Sequence, residues 1–122
     1  MEVLVERVCG LGGVFIRADD PNGLRQWYGD VLGVVDPPEG VWRQEAGPTV
    51  FAAFPRDNEH FPLDQHVMLN FRVADLGAML QRLRSAGVAV LREEDQAGVG
   101  SFAWVTDPEG NRVELWQPAP DV

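Results

Sequence analysis

Two arginines occupy matching places in this chain: Arg17 stands three residues before Asp20, and Arg72 three residues before Asp75. Guanidinium groups that converge on one cavity can grip a carboxylate or phosphate through forked hydrogen bonds. In a chain of net charge -9 such a pair is a local anion-favouring feature. The alternative is that they pair with Glu114, Asp19 or Asp75 and only neutralise the interior, since buried charges are usually paired. Glu114 itself lies in the alternating run Arg112-Val113-Glu114-Leu115-Trp116. A carboxylate desolvated among aromatic rings titrates high and can act as a general base, whereas one tied to Arg112 or Arg72 is a structural salt bridge. Other reactive side chains are sparse. Cys9 reads as a small packed hydrophobe with no second cysteine for an intrachain disulfide. His60 falls in a polar stretch and His66 near the start of a strand. There is no G-x-S-x-G elbow, glycine-rich phosphate loop, C-x-x-C or H-E-x-x-H run.

The elements that must position these groups are written twice. Val14-Phe15-Ile16-Arg17 leads into Asp20 and a helical stretch that closes on Leu32-Gly33-Val34, and Leu69-Asn70-Phe71-Arg72 leads into Asp75 and closes on Ala86-Gly87-Val88. A repeat of this size means two similar units, neither able to bury its apolar face alone, so they pack on each other or on a partner chain. In the first unit, residues 11–18 read as a strand. Asp20 then caps a helix that begins at Pro21 and whose apolar face is Leu24, Trp27, Tyr28, Val31 and Leu32. After the turn Asp36-Pro37-Pro38-Glu39-Gly40, strands are expected at 41–45 and 49–54. In the second unit a strand at 67–73 precedes the Asp75 cap and a helix faced by Leu76, Met79, Leu80 and Leu83. Strands near 88–92, 101–106 and 111–117 follow, the last two joined by the turn Asp107-Pro108-Glu109-Gly110-Asn111. The expectation is one α+β domain over residues 1–122, built of two β-α-β-β-β modules (about 8–55 and 66–118) joined by a polar linker at 56–65.

Composition narrows the classes of function. The 122 residues suffice for one hydrophobic core, and 45% hydrophobic with 24% charged residues is an ordinary globular mix. The negative charge disfavours a nucleic-acid backbone or an anionic membrane surface as partner. Glu2 and Glu6 interrupt the apolar start, which also lacks the basic segment of a secretory signal, and no uncharged stretch is long enough to span a bilayer. With its lone cysteine, the chain is expected to be cytoplasmic.

Three signatures, taken together, resemble the vicinal oxygen chelate superfamily, which includes glyoxalase I, bleomycin-resistance proteins and extradiol dioxygenases. They are Asp20 with Trp27-Tyr28 and Leu32-Gly33; Phe71-Arg72-Val73 with Asp75 and Gly87-Val88; and the run from Asp107 to Leu115. They cover nearly the whole chain. The resemblance implies two modules whose mixed sheet curls around a cavity with the helices outside. Strand alternation then turns Val14, Ile16, Leu69, Phe71, Val73, Val113 and Leu115 toward the helices, and Gly13, Phe15, Arg17, Met68, Asn70, Arg72, Arg112, Glu114 and Trp116 toward the cavity. If Thr106 pairs with Arg112, Trp104 stands beside Glu114 and Phe102 beside Trp116 on the cavity side. The implied ligand-binding set is Phe15, Arg17, Phe51, Met68, Asn70, Arg72, Phe102, Trp104, Arg112, Glu114 and Trp116, with Glu114 the candidate catalytic group.

In metal-using members each of four strands offers one ligand, usually His, Glu, His and Glu. Counted from the capping aspartates and the repeated hairpins, the positions that the resemblance assigns are Gly13, Phe51, Met68 and Glu114. One carboxylate is short of the three or so protein ligands that a catalytic ion needs, so no cofactor and no divalent metal is expected. A relocated site using His66 and Glu114 would still lack donors. The resemblance thus implies a glyoxalase/bleomycin-resistance-like protein that binds a small anionic or aromatic molecule in its cavity, as a homodimer whose halves pair within a chain or by exchange. Two alternatives stay open: a lyase, isomerase or dioxygenase with a non-standard metal site, and a non-catalytic interaction module. Were it an enzyme, a glyoxalase-like lyase or a dioxygenase is the expectation.

Overall fold

The computed structural model describes residues 5–34 and 40–122. The first residues, Met1 to Leu4, and the expected turn residues Asp36 to Glu39 lie outside this range.

Two capped helices lie on one face of a four-stranded mixed sheet. Helix α1 (Pro21–Trp27) starts at Asp20, whose side chain accepts from Gly23 N at 3.0 Å, with proline at the first helical position where no N–H is needed. The expected single helix instead widens into a π-helical turn, Tyr28–Leu32. Gly33 ends it at φ 77°, a left-handed conformation that suits glycine. Helix α2 (Leu76–Ser85) is capped by Asp75, which accepts from Ala78 N at 3.1 Å.

The strands are β1 (Leu69–Arg72), β2 (Arg92–Gln96), β3 (Gly100–Thr106) and β4 (Arg112–Pro118), in the order β1-β4-β3-β2. β1 runs parallel to β4, and the remaining pairs are antiparallel. Thr106 pairs with Arg112, Trp104 with Glu114 and Phe102 with Trp116, the register expected from the turn between them. Alternation along β3 and β4 then separates two clusters. Ala103, Val105, Val113 and Leu115 join Leu24, Tyr28, Leu32, Leu76, Leu80 and Leu83 beneath the helices. Phe102, Trp104 and Trp116 gather with Met68 on the opposite, open face.

Asp107 holds the β3–β4 turn. It is buried, and its carboxylate accepts from Glu109 N, Asn111 N, Asn111 Nδ2 and, at 2.6 Å, from Tyr28 Oη. Burial, the hydrogen bond and the charge of Asp107, in that order, push the Tyr28 phenol far above its usual range. Glu109 in the same turn accepts from Asp19 N and Asp20 N. The turn therefore ties the start of α1 and the π-helical turn at its end to the sheet of the second unit.

The first unit departs from expectation. Residues 11–18, 41–45 and 49–54 form no ladder, and Val14, Ile16, Phe15 and Phe51 are exposed, Phe15 at 96% and Phe51 at 93%. Their β-branched and aromatic character suits pairing, but a strand is stable only against a neighbour, and among the described residues they have none. Cys9, expected to be packed, is exposed for the same reason. The strand expected near 88–92 lies at 92–96, where Leu91 N donates to Trp104 O at 2.8 Å and the charged run Arg92-Glu93-Glu94-Asp95 forms an edge strand. Trp27, on the apolar helix face, is partly buried against the core.

Leu83→Ala removes a side chain with no exposed surface, and urea unfolding is expected to show a loss of about 2–5 kcal/mol. Tyr28→Phe is expected to cost about 1–3 kcal/mol, because it deletes a bond to a buried carboxylate.

Candidate functional site

The open face of the sheet is built from every second residue of its four strands. β3 and β4 supply Phe102, Trp104, Trp116 and Glu114, with Arg112 at the end of β4; β1 adds Asn70 and Arg72; and β2 adds Arg92 and Glu94. The rings form a row. Phe102 and Trp116 are nearly parallel at 7° with centroids 6.1 Å apart, and Phe102 and Trp104 lie at 19° and 6.0 Å. Trp116 is anchored by its Nε1–H, which donates to Val99 O at 3.0 Å. This anchor needs glycine at position 100, where a Cβ would run into Gln117 O and Trp116 Nε1. Apolar walls with a few placed polar groups are what small-molecule sites are made of.

The linker folds over one end of this row. His60 lies 6.0 Å from the Trp104 ring and 5.7 Å from Phe54. Its backbone N donates to Asn58 Oδ1 at 2.8 Å, and its Nδ1 is 2.9 Å from the same oxygen. Gln65 bonds both the N–H and the carbonyl of Arg112, extending the edge of the sheet through its side chain, and Arg112 Nη1 reaches His60 O at 3.5 Å.

Glu114 accepts from Asn70 Nδ2 at 2.6 Å. The salt-bridge alternative of the sequence reading does not describe it: among the described residues the ion pairs are Arg84–Glu93 and Arg92–Glu94. Asn70 has taken the place of an arginine because it stands directly opposite Glu114 in the register. Desolvation pushes the Glu114 carboxyl up and the charge of Glu94 adds to this, while Asn70, His60 and the nearby Trp104 indole oppose it. The net direction is upward. The Trp104 Nε1–H favours the carboxylate by proximity, yet it meets no acceptor at hydrogen-bonding geometry.

The expected site residues divide into two groups. Met68, Asn70, Arg72, Phe102, Trp104, Arg112, Glu114 and Trp116 share the open face. Arg72 turns to the edge, where its Nη2 donates to Glu45 O at 3.1 Å. Phe15, Arg17 and Phe51 are exposed on the unladdered segments. His66 is exposed, and the histidine over the rings is His60. The expectation missed Glu94 and Arg92, whose strand carries no apolar alternation, and His60, whose approach is a long-range contact with no periodic signal.

The four positions at which the superfamily places ligands do not fit a divalent ion. Gly13 has no donor, Phe51 has none and is exposed, Met68 offers a thioether packed against the rings, and Glu114 is engaged by Asn70. Among the described residues no three His, Cys, Asp or Glu side chains converge on one point. A separate cleft of about 590 Å³ opens beside the β1 edge, lined by Trp42, Phe71, Arg72, Asp75, Met79 and Arg82 among others. Its two rings, Trp42 and Phe71, meet at a tilt of 43° with centroids 6.3 Å apart, and Arg82 there is spent on Asp30 O. The ordered aromatic row makes the open face the better candidate.

Comparison with known proteins bears on this geometry. A family model described as a glyoxalase-like domain matches residues 13–116. No curated protein matches the chain. Among solved structures, an antibiotic binding protein from a Streptomyces species, TnmS3, is 26% identical, with 85% of this chain and 91% of that one aligned at a TM-score of 0.54. The fosfomycin resistance protein FosX of Listeria monocytogenes is 13% identical over 94% and 98% of the two chains, with a TM-score of 0.63. A glyoxylase/bleomycin resistance protein/dioxygenase domain from a Frankia species is 17% identical over 93% and 100%, with a TM-score of 0.61. The last two likenesses establish the fold alone. Among the described residues no helix is long and apolar enough to cross a membrane.

Because the folded chain raises the Glu114 carboxyl above its unfolded value, the native state holds that proton longer, and stability from this group is lost as pH rises through the raised value. Glu114→Gln, which fixes the neutral shape, is expected to unfold at higher urea than the wild type at neutral pH and at the same urea in acid. A gap that widens toward acid would contradict this.

Proposed function

The chain belongs to the family of glyoxalase-like domains, and from that premise we propose that it binds a small organic molecule with an aromatic portion, without the ion-chelating set of its metal-using relatives. The observation that carries this reading is the row Trp104, Phe102 and Trp116, buried on the sheet face that no helix among the described residues covers. The rings are only 3–8% exposed, so a ligand reaches them by displacing the side chains packed on them, Met68, His60 and Arg92, and each aromatic contact it then makes adds to the gain from area buried. The description of TnmS3 as an antibiotic binding protein supports sequestration of such a molecule rather than its conversion.

The cavity needs a second wall, and the first unit is its natural source. Val8, Leu11, Phe15, Val50 and Phe51 are all more than half exposed. β1 is an edge strand that pairs with β4 alone among the described residues. Segment 13–17 repeats the pattern of β1, so a second copy of the chain, adding its first-unit segments at that edge, would complete the pair of β-α-β-β-β modules and bring Phe15, Arg17 and Phe51 toward the rings. The proposed assembly is therefore a homodimer joined by exchange. Its interface covers apolar surface that a monomer leaves in water.

Light scattering at micromolar concentration is expected to give twice the chain mass, and Phe15→Asp combined with Phe51→Asp to give the monomer. In thermal-shift screening of aromatic compounds, binders are expected to raise the melting temperature of the dimer. Phe102→Ala is expected to weaken them by about tenfold or more, since it deletes the middle ring. A folded dimer that no aromatic compound stabilises would overturn the proposal.

A further inference from the structure

Arg92 lies across the face of Trp104. Its guanidinium carbon is 5.6 Å from the ring centroid, and its Nη2 is 3.6 Å from Glu94 Oε2. The register explains the meeting: Arg92 stands opposite Trp104, Glu94 opposite Phe102, and Glu114 opposite Trp104 on its other side. A positive group is thus held between an indole face and a carboxylate, with a second carboxylate one strand away. This combination is how proteins recognise an organic cation.

The walls of this corner and the group that fills it differ in kind. Trp104 is 3% exposed and its Nε1–H has no hydrogen-bond partner. Glu94 Oε2 is fully covered and accepts no hydrogen bond, because 3.6 Å to Arg92 is too long for one. Buried polar atoms are nearly always satisfied, and the acceptor left unmet in these walls, Glu94 Oε2, is one that a donor cation closer than Arg92 would satisfy. The Arg92 side chain is 62% exposed, and such an ion pair contributes little. It can swing back into water at small cost. The other cationic groups of this face lie outside the corner: Arg72 reaches Glu45 O, and Arg112 reaches His60 O at 3.5 Å through Nη1, with its Nε buried and unpartnered. The net charge of -9 draws cations toward the chain and repels anions.

We infer that the Trp104–Glu94 corner is a subsite for a protonated amine or amidinium carried by the bound molecule, with Arg92 as its internal competitor. The inference rests on the aromatic-binding reading and adds the ligand's charge: an aromatic cation whose flat part lies along Phe102 and Trp116 and whose positive end displaces Arg92. It reverses the anionic preference expected from Arg17 and Arg72.

Three probes that share one ring system test it: 2-naphthylmethylammonium, 2-naphthylmethanol and 2-naphthoate, titrated calorimetrically into the intact protein. The ammonium is expected to bind about tenfold more tightly than the alcohol, and the naphthoate weakest. Glu94→Gln is expected to erase the preference for the ammonium. Arg92→Ala is expected to tighten the ammonium and leave the alcohol unchanged, an effect that a merely structural role for Arg92 would not produce. Both substitutions lie on an exposed edge strand, and unchanged thermal unfolding of the variants confirms the fold. Equal binding of alcohol and ammonium, or preference for the naphthoate, would overturn the cation subsite and leave the aromatic site standing. Binding of none of the three would overturn both.

Discussion

The pairing of β3 with β4 is the constraint on which the rest of the structure depends. Side chains along a strand alternate between faces, so one residue of slip in this hairpin would turn one strand over, sending Trp104 and Phe102 into the helical core and Val105 and Ala103 out of it, or doing the same to Glu114 and Trp116 with Val113 and Leu115. The turn prevents the slip. Asp107 collects four protein donors at one buried carboxylate, including the phenol of Tyr28 from the π-helical turn that follows α1. The same carboxylate thereby sets the register of the sheet and the position of the helix beneath it, and an apolar core and an aromatic face follow from one local arrangement.

The two faces differ in completeness. The helical side is closed, because α1 from the first unit and α2 from the second both cover the single sheet. The opposite side has its floor of rings and the linker at one end, where His60 lies over Trp104. The exposed apolar segments of the first unit and the edge of β1 are complementary in chemistry: one has side chains to bury, the other has backbone groups to pair. This complementarity links assembly to binding, since the residues that would join two copies are those that would wall the cavity.

Much of this is legible in the sequence. Both capping aspartates, both glycine stops and the hairpin turn follow from local rules, and with the turn came the side-by-side placement of Trp104 with Glu114 and of Phe102 with Trp116. Less legible was whatever depends on distance or on neighbours. β2 is nearly all charge, so hydrophobic periodicity passes over it and over Arg92 and Glu94 with it. His60 reaches Trp104 across 44 residues of sequence from a stretch with no regular pattern. The partner of Glu114 proved to be the amide of Asn70, since the register on β1 puts it directly opposite and turns Arg72 toward the edge. Residues 11–18 and 49–54 have strand composition without a ladder, because composition records a readiness to pair and not the presence of a partner.

The central claim is that small molecules meet this protein on the Trp104–Phe102–Trp116 face and not in the cleft beside β1. The chain holds four tryptophans, and each indole N–H reports on a different place: Trp104 and Trp116 on the open face, Trp42 in the cleft, and Trp27 on the helical side. The direct measurement is the proton–nitrogen correlation spectrum of these indoles during titration with an aromatic compound that binds. The account predicts that the Trp104 and Trp116 resonances move with saturation while Trp27 stays fixed. Movement at Trp42 with Trp104 and Trp116 unchanged would contradict it.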